Sequence, residues 1–248
     1  MPDSVFLITC EHGGNRIPPP YRALFAGFEA VLETHRGYDP GALLMARELA
    51  RALGAKRVTA TISRLLLDLN RSVGHPKHFS EVTRGLPAAT RARLVEQHYL
   101  PYRQQVDRLV GDVIRQGRCV VHLSSHSFTP ELNGEVRRAD LGLLYDPARE
   151  REASFCARWQ AEIRAQAPAL RVRRNYPYLG KGDGLTSSLR RRYPASSYLG
   201  IELEINQAIV LAGGEPWKSL RRLLIESLQR VGTRRQGVGD KRNSDRTA

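Results

Sequence analysis

A strict alternation of aliphatic and polar positions stands out at residues 201–206. Because the side chains of a strand point alternately to its two faces, Glu202 and Glu204 share one face and the aliphatic residues share the other. An edge strand wetted on one side gives the same pattern. We predict an interior strand with two carboxylates, because the rest of the chain holds polar groups suited to a metal and an acidic substrate.

Short apolar runs and stretches of helical periodicity predict the other elements. Strands are predicted at residues 4–9, 56–62, 119–123, 139–145 and 170–174. Apolar residues recur at helical spacing in residues 42–54, 87–116, 148–166 and 217–231. The second of these stretches is expected to break near Pro101. This order of elements fits an α/β fold.

Two histidines follow predicted strands. His12 comes just after the first strand and precedes a glycine pair, and His126 comes just after the strand at 119–123. Because α/β sheets place ligands at the carboxyl ends of strands, both are candidate metal ligands. A loop histidine that caps a turn is the competing interpretation of His12. His122 falls inside its strand and is expected to be a core histidine.

Asp39 stands before Pro40 and the helix predicted at 42–54. An aspartate followed by proline is a good helix N-cap, and this structural role competes with a role in the site on equal terms. The sequence alone leaves both interpretations open.

Polar residues after the second predicted strand suit an acidic substrate. Arginine binds a carboxylate through two parallel hydrogen bonds, and a nearby asparagine amide adds a further donor. Arg64, Asn70 and Arg71 are therefore predicted to form an anion clamp. The loop at 175–185, which contains Tyr178 and Asp183, is too aromatic and too rich in glycine for a linker, so we predict a lid or substrate wall.

The chain of 248 residues, 41% hydrophobic, is long enough to bury a full core, and we predict one domain at residues 1–231. Residues 232–248 are basic and hold one apolar residue of consequence, so a disordered tail is expected there.

The net charge of +14 would suit a nucleic-acid-associated protein, and this is the rival, non-enzymatic hypothesis. Against it, the basic residues are dispersed and aromatic residues make up only 7% of the chain. A basic surface also steers small anionic substrates.

Several absences in the sequence point to a cytoplasmic protein. Three scattered cysteines are too few for a disulfide framework or a cysteine-type zinc site. We find no export signal at the start of the sequence and no apolar run long enough to cross a bilayer. Any metal is therefore expected to be held by histidine and carboxylate.

The candidate residues together match the needs of metal-assisted hydrolysis. Catalytic zinc takes three protein ligands and a water, whose pKa it lowers. A nearby carboxylate accepts the proton and passes it to the leaving nitrogen, and an arginine stabilises the developing oxyanion.

At this point the sequence resembles the N-formylglutamate amidohydrolases and, more distantly, the zinc carboxypeptidases and the aspartoacylase/succinylglutamate desuccinylase group. The resemblance runs from about residue 6 to residue 207, and it rests on six motifs that stand in the family's order. They lie at residues 10–18, 38–42, 63–71, 126–128, 175–184 and 202–206.

The resemblance implies a three-layer, phosphorylase/hydrolase-like α/β fold with a mixed, mainly parallel sheet, and a zinc site. His12 and His126 match the family's metal histidines. The carboxypeptidase-like relatives place a glutamate three residues after the first histidine, where this chain has Asn15, so Asp39 is the preferred middle ligand and Asn15 the alternative.

The resemblance also implies roles for the remaining candidates. Asn70 and Arg71 look like the pair that holds the substrate's carboxylate, and Arg64 looks like the polarising arginine. Glu204 looks like the general base, with Glu202 raising its proton affinity through like-charge repulsion, and the reverse assignment stays open.

The activity so implied is zinc-dependent cleavage of the N-acyl amide of an acidic amino acid such as N-formylglutamate. Another free N-acyl amino acid or the end of a small peptide would satisfy the same clamp. A carboxypeptidase-like or other amidohydrolase is therefore the alternative enzyme.

Overall fold

The structure, a computed structural model, describes residues 4–233, and most of the predicted tail lies outside them. The strands are β1 (Ser4–Cys10), β2 (Lys56–Thr59), β3 (Cys119–Phe128), β4 (Glu131–Leu132), β5 (Glu135–Val136), β6 (Leu141–Leu144), β7 (Val172–Arg174) and β8 (Tyr198–Asn206). The helices are α1 (Glu29–Leu32), α2 (Ala42–Ala52), α3 (Ala88–Leu94), α4 (Leu100–Arg115), α5 (Glu150–Gln166), α6 (Leu185–Arg192), α7 (Gln207–Ala212) and α8 (Gly214–Thr233).

Six strands form one sheet in the order β2-β1-β3-β8-β6-β7. All neighbours are parallel except β6 and β8, which are antiparallel. Strands β4 and β5 form a separate small hairpin. The sheet is mixed and mainly parallel, which confirms the predicted fold class.

Two hydrophobic cores lie on the two faces of the sheet, which makes three layers. One face packs on α2, α5 and α8, with Leu49, Trp159 and Leu224 fully buried there. The other face packs on α3, α4 and α6, with Leu94 and Val106 fully buried. Among residues 4–233, no helix is long and apolar enough to cross a membrane.

Strand β8 is interior, as the alternation at 201–206 predicted, because it pairs with β3 on one side and β6 on the other. Its aliphatic residues are fully buried in the first core. On the opposite face Glu202 stands beside Ser124 of β3, and Glu204 stands beside His126. Two carboxylates of this interior strand therefore lie on one face of the sheet, next to residues of β3.

Strand β3 is longer than predicted and runs to Phe128, so the expectation that His126 follows the end of the strand is wrong. Its polar residues stay buried because each finds a partner. Ser125 donates to the Ala42 carbonyl at 3.0 Å and Ser127 donates to the Pro40 carbonyl at 2.8 Å. These hydrogen bonds offset the free-energy cost of burying the hydroxyl groups. Sequence periodicity does not reveal such bonds, so the strand was predicted to end too early.

The predicted break near Pro101 takes the form of a π-helical turn at Val95–Tyr99 between α3 and α4. Proline lacks an amide N–H, and the wider turn absorbs this within a continuous helical stretch. Helix α6 was not predicted, because residues 185–192 are dominated by polar and basic side chains.

Candidate active site

Three buried side chains from distant parts of the chain meet near the carboxyl ends of β1 and β3. They are His12, Asp39 and His126, and one nitrogen or oxygen atom of each lies within 4.8 Å of the others. His12 Nδ1 lies 3.4 Å from Asp39 Oδ2, and His126 Nδ1 lies 2.8 Å from the same oxygen. Two histidines and a carboxylate are a usual ligand set for a divalent metal.

The backbone brings Asp39 to this place. Its N–H donates to the His12 carbonyl at 2.9 Å, which ties the approach to α2 to the turn after β1. The N-cap position of α2 is Gly41, with a φ of 79°, and no side chain caps the helix. The capping interpretation of Asp39 is therefore wrong, because its carboxylate is occupied by His126 and Arg64.

Each histidine is held by a second carboxylate on its other ring nitrogen. His12 Nε2 donates to Asp68 Oδ1 at 2.8 Å. His126 Nε2 lies 3.0 Å from Glu11 Oε2. Carboxylates in this position fix the tautomer and orientation of metal-binding histidines. Both Nδ1 atoms are thereby directed toward Asp39.

The sequence interpretation missed Glu11 and Asp68 as functional residues. Glu11 is fully buried and also accepts hydrogen bonds from Tyr102 at 2.7 Å and from Ser124 at 2.5 Å. Burial would raise the pKa of the Glu11 carboxyl, but His126 and these hydroxyl donors hold it well below its usual range. An acidic residue directly after a buried strand was the only signal for it in the sequence.

Arg64 bridges two of the carboxylates. It donates to Asp39 Oδ1 at 3.3 Å and to Asp68 Oδ2 at 3.0 Å. Burial would raise the pKa of Asp39, but His12, His126 and Arg64 outweigh it and keep this group ionised. The pKa of Asp68 is likewise held well below its usual range, against the effect of burial, by His12 and Arg64.

One atom of the cluster lacks a partner. His12 Nδ1 is buried and makes no hydrogen bond, although it faces Asp39. An unpaired buried nitrogen is costly and calls for a ligand. The residues present therefore fit a bound metal, with His12, Asp39 and His126 as its protein ligands.

Glu204 faces this cluster from β8. Its side chain is buried, and its Oε2 atom has no hydrogen-bond partner. Burial raises the pKa of this carboxyl to about 8, with Asp39 and Glu202 contributing in the same direction and His126 opposing. Glu202 is engaged elsewhere, because its Oε1 accepts a hydrogen bond from Thr186 at 2.6 Å.

His122 is a core histidine, as predicted. It is fully buried, and its ring nitrogens lie 2.8 Å from Thr9 Oγ1 and 2.6 Å from Tyr198 Oη. Burial lowers the pKa of His122 to about 4, which keeps the ring neutral.

The predicted anion clamp is tied to the loop at 175–185. Arg71 donates to the Asp183 carbonyl at 2.5 Å, and the Asp183 carboxylate accepts from the backbone and the hydroxyl of Ser72. Asn70 Oδ1 accepts from the Leu185 amide at 2.7 Å. These contacts anchor the loop beside the site.

Two further candidates lie at the periphery. Asn15 donates its side-chain amide to Glu33 Oε1 at 2.8 Å, an exposed contact. Tyr178 is 45% exposed and receives a hydrogen bond from Arg137 at 2.9 Å.

The mixed sheet makes this an α/β protein, and the polar cluster at the carboxyl ends of β1 and β3 is its candidate active site. The chain belongs to the N-formylglutamate amidohydrolase family, whose model matches residues 4–211. Comparison with curated proteins finds no match.

Two solved structures are similar over nearly their whole length. A gene product from Agrobacterium tumefaciens is 29% identical, with a TM-score of 0.77 over 93% of this chain and 90% of that one. An N-formylglutamate amidohydrolase from Ralstonia eutropha JMP134 is 20% identical, with a TM-score of 0.64 over 95% of this chain and 96% of that one. At 20% identity the second likeness concerns the fold alone.

Proposed function

We propose that this protein is a zinc-dependent amidohydrolase that cleaves the N-formyl amide of an acidic amino acid, such as N-formylglutamate. The observation that carries the proposal is the unpaired, buried Nδ1 atom of His12, which faces Asp39 and His126, with Glu204 beside His126 on the next strand. Membership of the family supports the choice of substrate.

His12, Asp39 and His126 would hold the metal. We choose zinc because catalytic zinc sites commonly have three protein ligands of the histidine and carboxylate type. When bound, zinc supplies Lewis acidity that polarises the amide carbonyl and acidifies water. Asp39 is preferred over Asn15 because the Asn15 amide is engaged with Glu33.

Glu204 is the proposed general base and acid. A general base works best when its pKa is close to the working pH, and the pKa of this carboxyl is raised to about 8. It would take a proton from water at its unpaired oxygen and deliver it to the leaving nitrogen. Glu202 would contribute negative charge while remaining bonded to Thr186.

Arg64 and the clamp would position the substrate. Arg64 has a partly exposed guanidinium, which would stabilise negative charge on the carbonyl oxygen while holding Asp39 and Asp68 in place. Asn70 and Arg71 would bind a carboxylate of the amino acid, with Asp183 fixing the loop and Tyr178 at its rim.

The decisive experiment measures metal content and formate release together. Untagged protein should contain about one zinc per chain and should release formate from N-formyl-L-glutamate. The double variant His12→Ala, His126→Ala should lose both, whereas the control His98→Ala, whose ring packs on Tyr21, should keep both. Wild-type protein that takes up no zinc would overturn the mechanism.

The same assay separates the alternative enzymes. Zinc-dependent hydrolysis of a longer N-acyl amino acid or a peptide end, without formate release, would favour the carboxypeptidase-like alternative. That result would support the proposed metal site and overturn the proposed substrate.

A further inference from the structure

The side chain of Arg137 is largely buried, and it has no carboxylate partner. Its residue is 8% exposed, yet no aspartate or glutamate among residues 4–233 lies within 4.0 Å of it. By contrast, the buried Arg190 pairs with Glu152 at 3.1 Å. Buried charges in proteins are normally paired, so an unpaired one near a substrate site calls for a ligand anion.

The backbone of Arg137 is fixed beside the catalytic strand. Its N–H donates to the Pro130 carbonyl at 2.8 Å, and its carbonyl accepts from Asn206 Nδ2 at 3.3 Å. Asn206 ends β8, two residues beyond Glu204. Arg137 is therefore held at the same end of the sheet as the proposed general base.

The side chain of Arg137 lies against the lid loop. Its guanidinium carbon is 4.9 Å from the centre of the Tyr178 ring, and one nitrogen donates to the Tyr178 hydroxyl at 2.9 Å. Within the described part of the chain this is its one side-chain hydrogen bond. A guanidinium stacked on an aromatic ring keeps its other N–H groups free for a planar anion.

The contact with Tyr178 places Arg137 at the loop 175–185, which Arg71 and Asn70 anchor beside the site. Arg137 and the proposed clamp therefore contact the same loop.

We propose that Arg137, stacked on Tyr178, binds the second carboxylate of a dicarboxylic N-acyl amino acid. The inference rests on the proposed function, in which Asn70 and Arg71 bind one carboxylate. A substrate of the N-formylglutamate type carries two, and Arg64 is already shared between Asp39 and Asp68. Arg137 would therefore select acidic over neutral side chains.

The test combines one variant with two substrates. Arg137→Gln should lower kcat/KM for N-formyl-L-glutamate about 100-fold, because truncation removes a desolvated charge pair. For N-formyl-L-glutamine, which lacks the second carboxylate, the same change should have less than about a threefold effect. Arg137→Lys should restore part of the loss, and Arg138→Gln, at the exposed neighbouring position, is the matched control.

A binding measurement separates this inference from the proposed activity. Glutarate, a dicarboxylate without an amide, should bind the zinc-loaded wild type in calorimetry and bind Arg137→Gln at least about tenfold more weakly. Arg137-dependent glutarate binding without formate release would sustain the inference and overturn the activity. Equal losses with both substrates, or unchanged glutarate binding, would overturn the inference. Unaltered zinc content and thermal melting in the variant exclude misfolding as the cause.

Discussion

The imidazole of His12 is held through its Nε2 atom by Asp68, whose Oδ1 oxygen lies 2.8 Å away. The opposite ring nitrogen is thereby left to face Asp39 and His126. Asp68 also accepts from Arg64 and from the backbone N–H of Asn70, so one carboxylate contacts a proposed metal ligand and the proposed clamp.

Asp68→Asn should therefore weaken zinc binding by about 10- to 100-fold without removing any metal ligand, because an amide can present the wrong group to the imidazole N–H. Competition with a chromophoric chelator measures this affinity. Asp140→Asn, which alters an ion pair with the exposed Arg171, is the control. Equal zinc affinity in wild type and Asp68→Asn would remove Asp68 from the metal site.

Glu204→Gln should abolish turnover while zinc stays bound, because the amide preserves shape but cannot accept a proton. The expected loss in kcat is about 10²- to 10⁴-fold, the usual contribution of a general acid–base group. Glu202→Gln is the matched variant on the same face of β8, and it should lose much less. A larger loss of kcat in Glu202→Gln than in Glu204→Gln would identify Glu202 as the general base.

The sequence could predict those features that depend on local pattern. The alternation at 201–206 predicted β8 and put Glu202 and Glu204 on one face, because side chains of a strand point alternately to its two faces. The apolar run before His12 predicted β1 and placed that histidine at its carboxyl end. These inferences need only neighbours in the sequence.

Hydrogen-bond partners that are distant in the sequence could not be predicted from local pattern. Glu11 is adjacent to His12 in sequence, yet its carboxylate lies 3.0 Å from His126 of β3, more than a hundred positions away. Asp68 reaches His12 across 56 positions. Beyond residue 123, the serines of β3 donate to the carbonyls of Pro40 and Ala42 at the start of α2, and sequence periodicity does not reveal such partners.

The pKa of Glu204 makes the stability of the metal-free protein depend on pH. This pKa is about 8 in the folded state against an ordinary 4.5, so the folded state binds the proton more tightly than the unfolded state. The resulting stabilisation is fully present below the unfolded pKa and is lost as the pH rises through the folded pKa. The glutamine of Glu204→Gln cannot ionise, so the stability of that variant should not fall with pH for this reason.

In chelator-treated protein, the free energy of unfolding of Glu204→Gln should therefore rise relative to wild type between pH 5 and pH 8. The upper limit is about 1.4 kcal/mol per pH unit. Urea denaturation of both proteins at the two pH values measures it. Parallel pH profiles would show that Glu204 titrates normally in the folded state.

Arg71→Lys should raise KM for N-formyl-L-glutamate about tenfold with a smaller effect on kcat, because lysine keeps the charge but loses the planar fork. Arg71 also donates to the Asp183 carbonyl, so some loosening of the lid loop is expected. Steady-state kinetics together with thermal melting separate the two effects. A large fall in stability with an unchanged KM would make Arg71 a structural residue only.

Gly142 of β6 lies opposite Glu204 of β8, and the absence of its side chain is needed for close packing. A Cβ atom at this position would lie 2.0 Å from the Tyr176 carbonyl oxygen and 3.2 Å from the Glu204 Cβ. Gly142→Ala should therefore displace the start of the lid loop and destabilise the protein by about 1–3 kcal/mol, the usual cost of overpacking.

Gly85→Ala is the control, since a Cβ there would meet no atom within 4 Å. Its stability should stay within about 0.5 kcal/mol of wild type. Chemical denaturation compares the two variants, and formate release tests whether displacement of Tyr176 reaches the site. If Gly142→Ala melts like Gly85→Ala and keeps full activity, the lid loop does not depend on this contact, and its position must come from the Arg71 and Asn70 anchors.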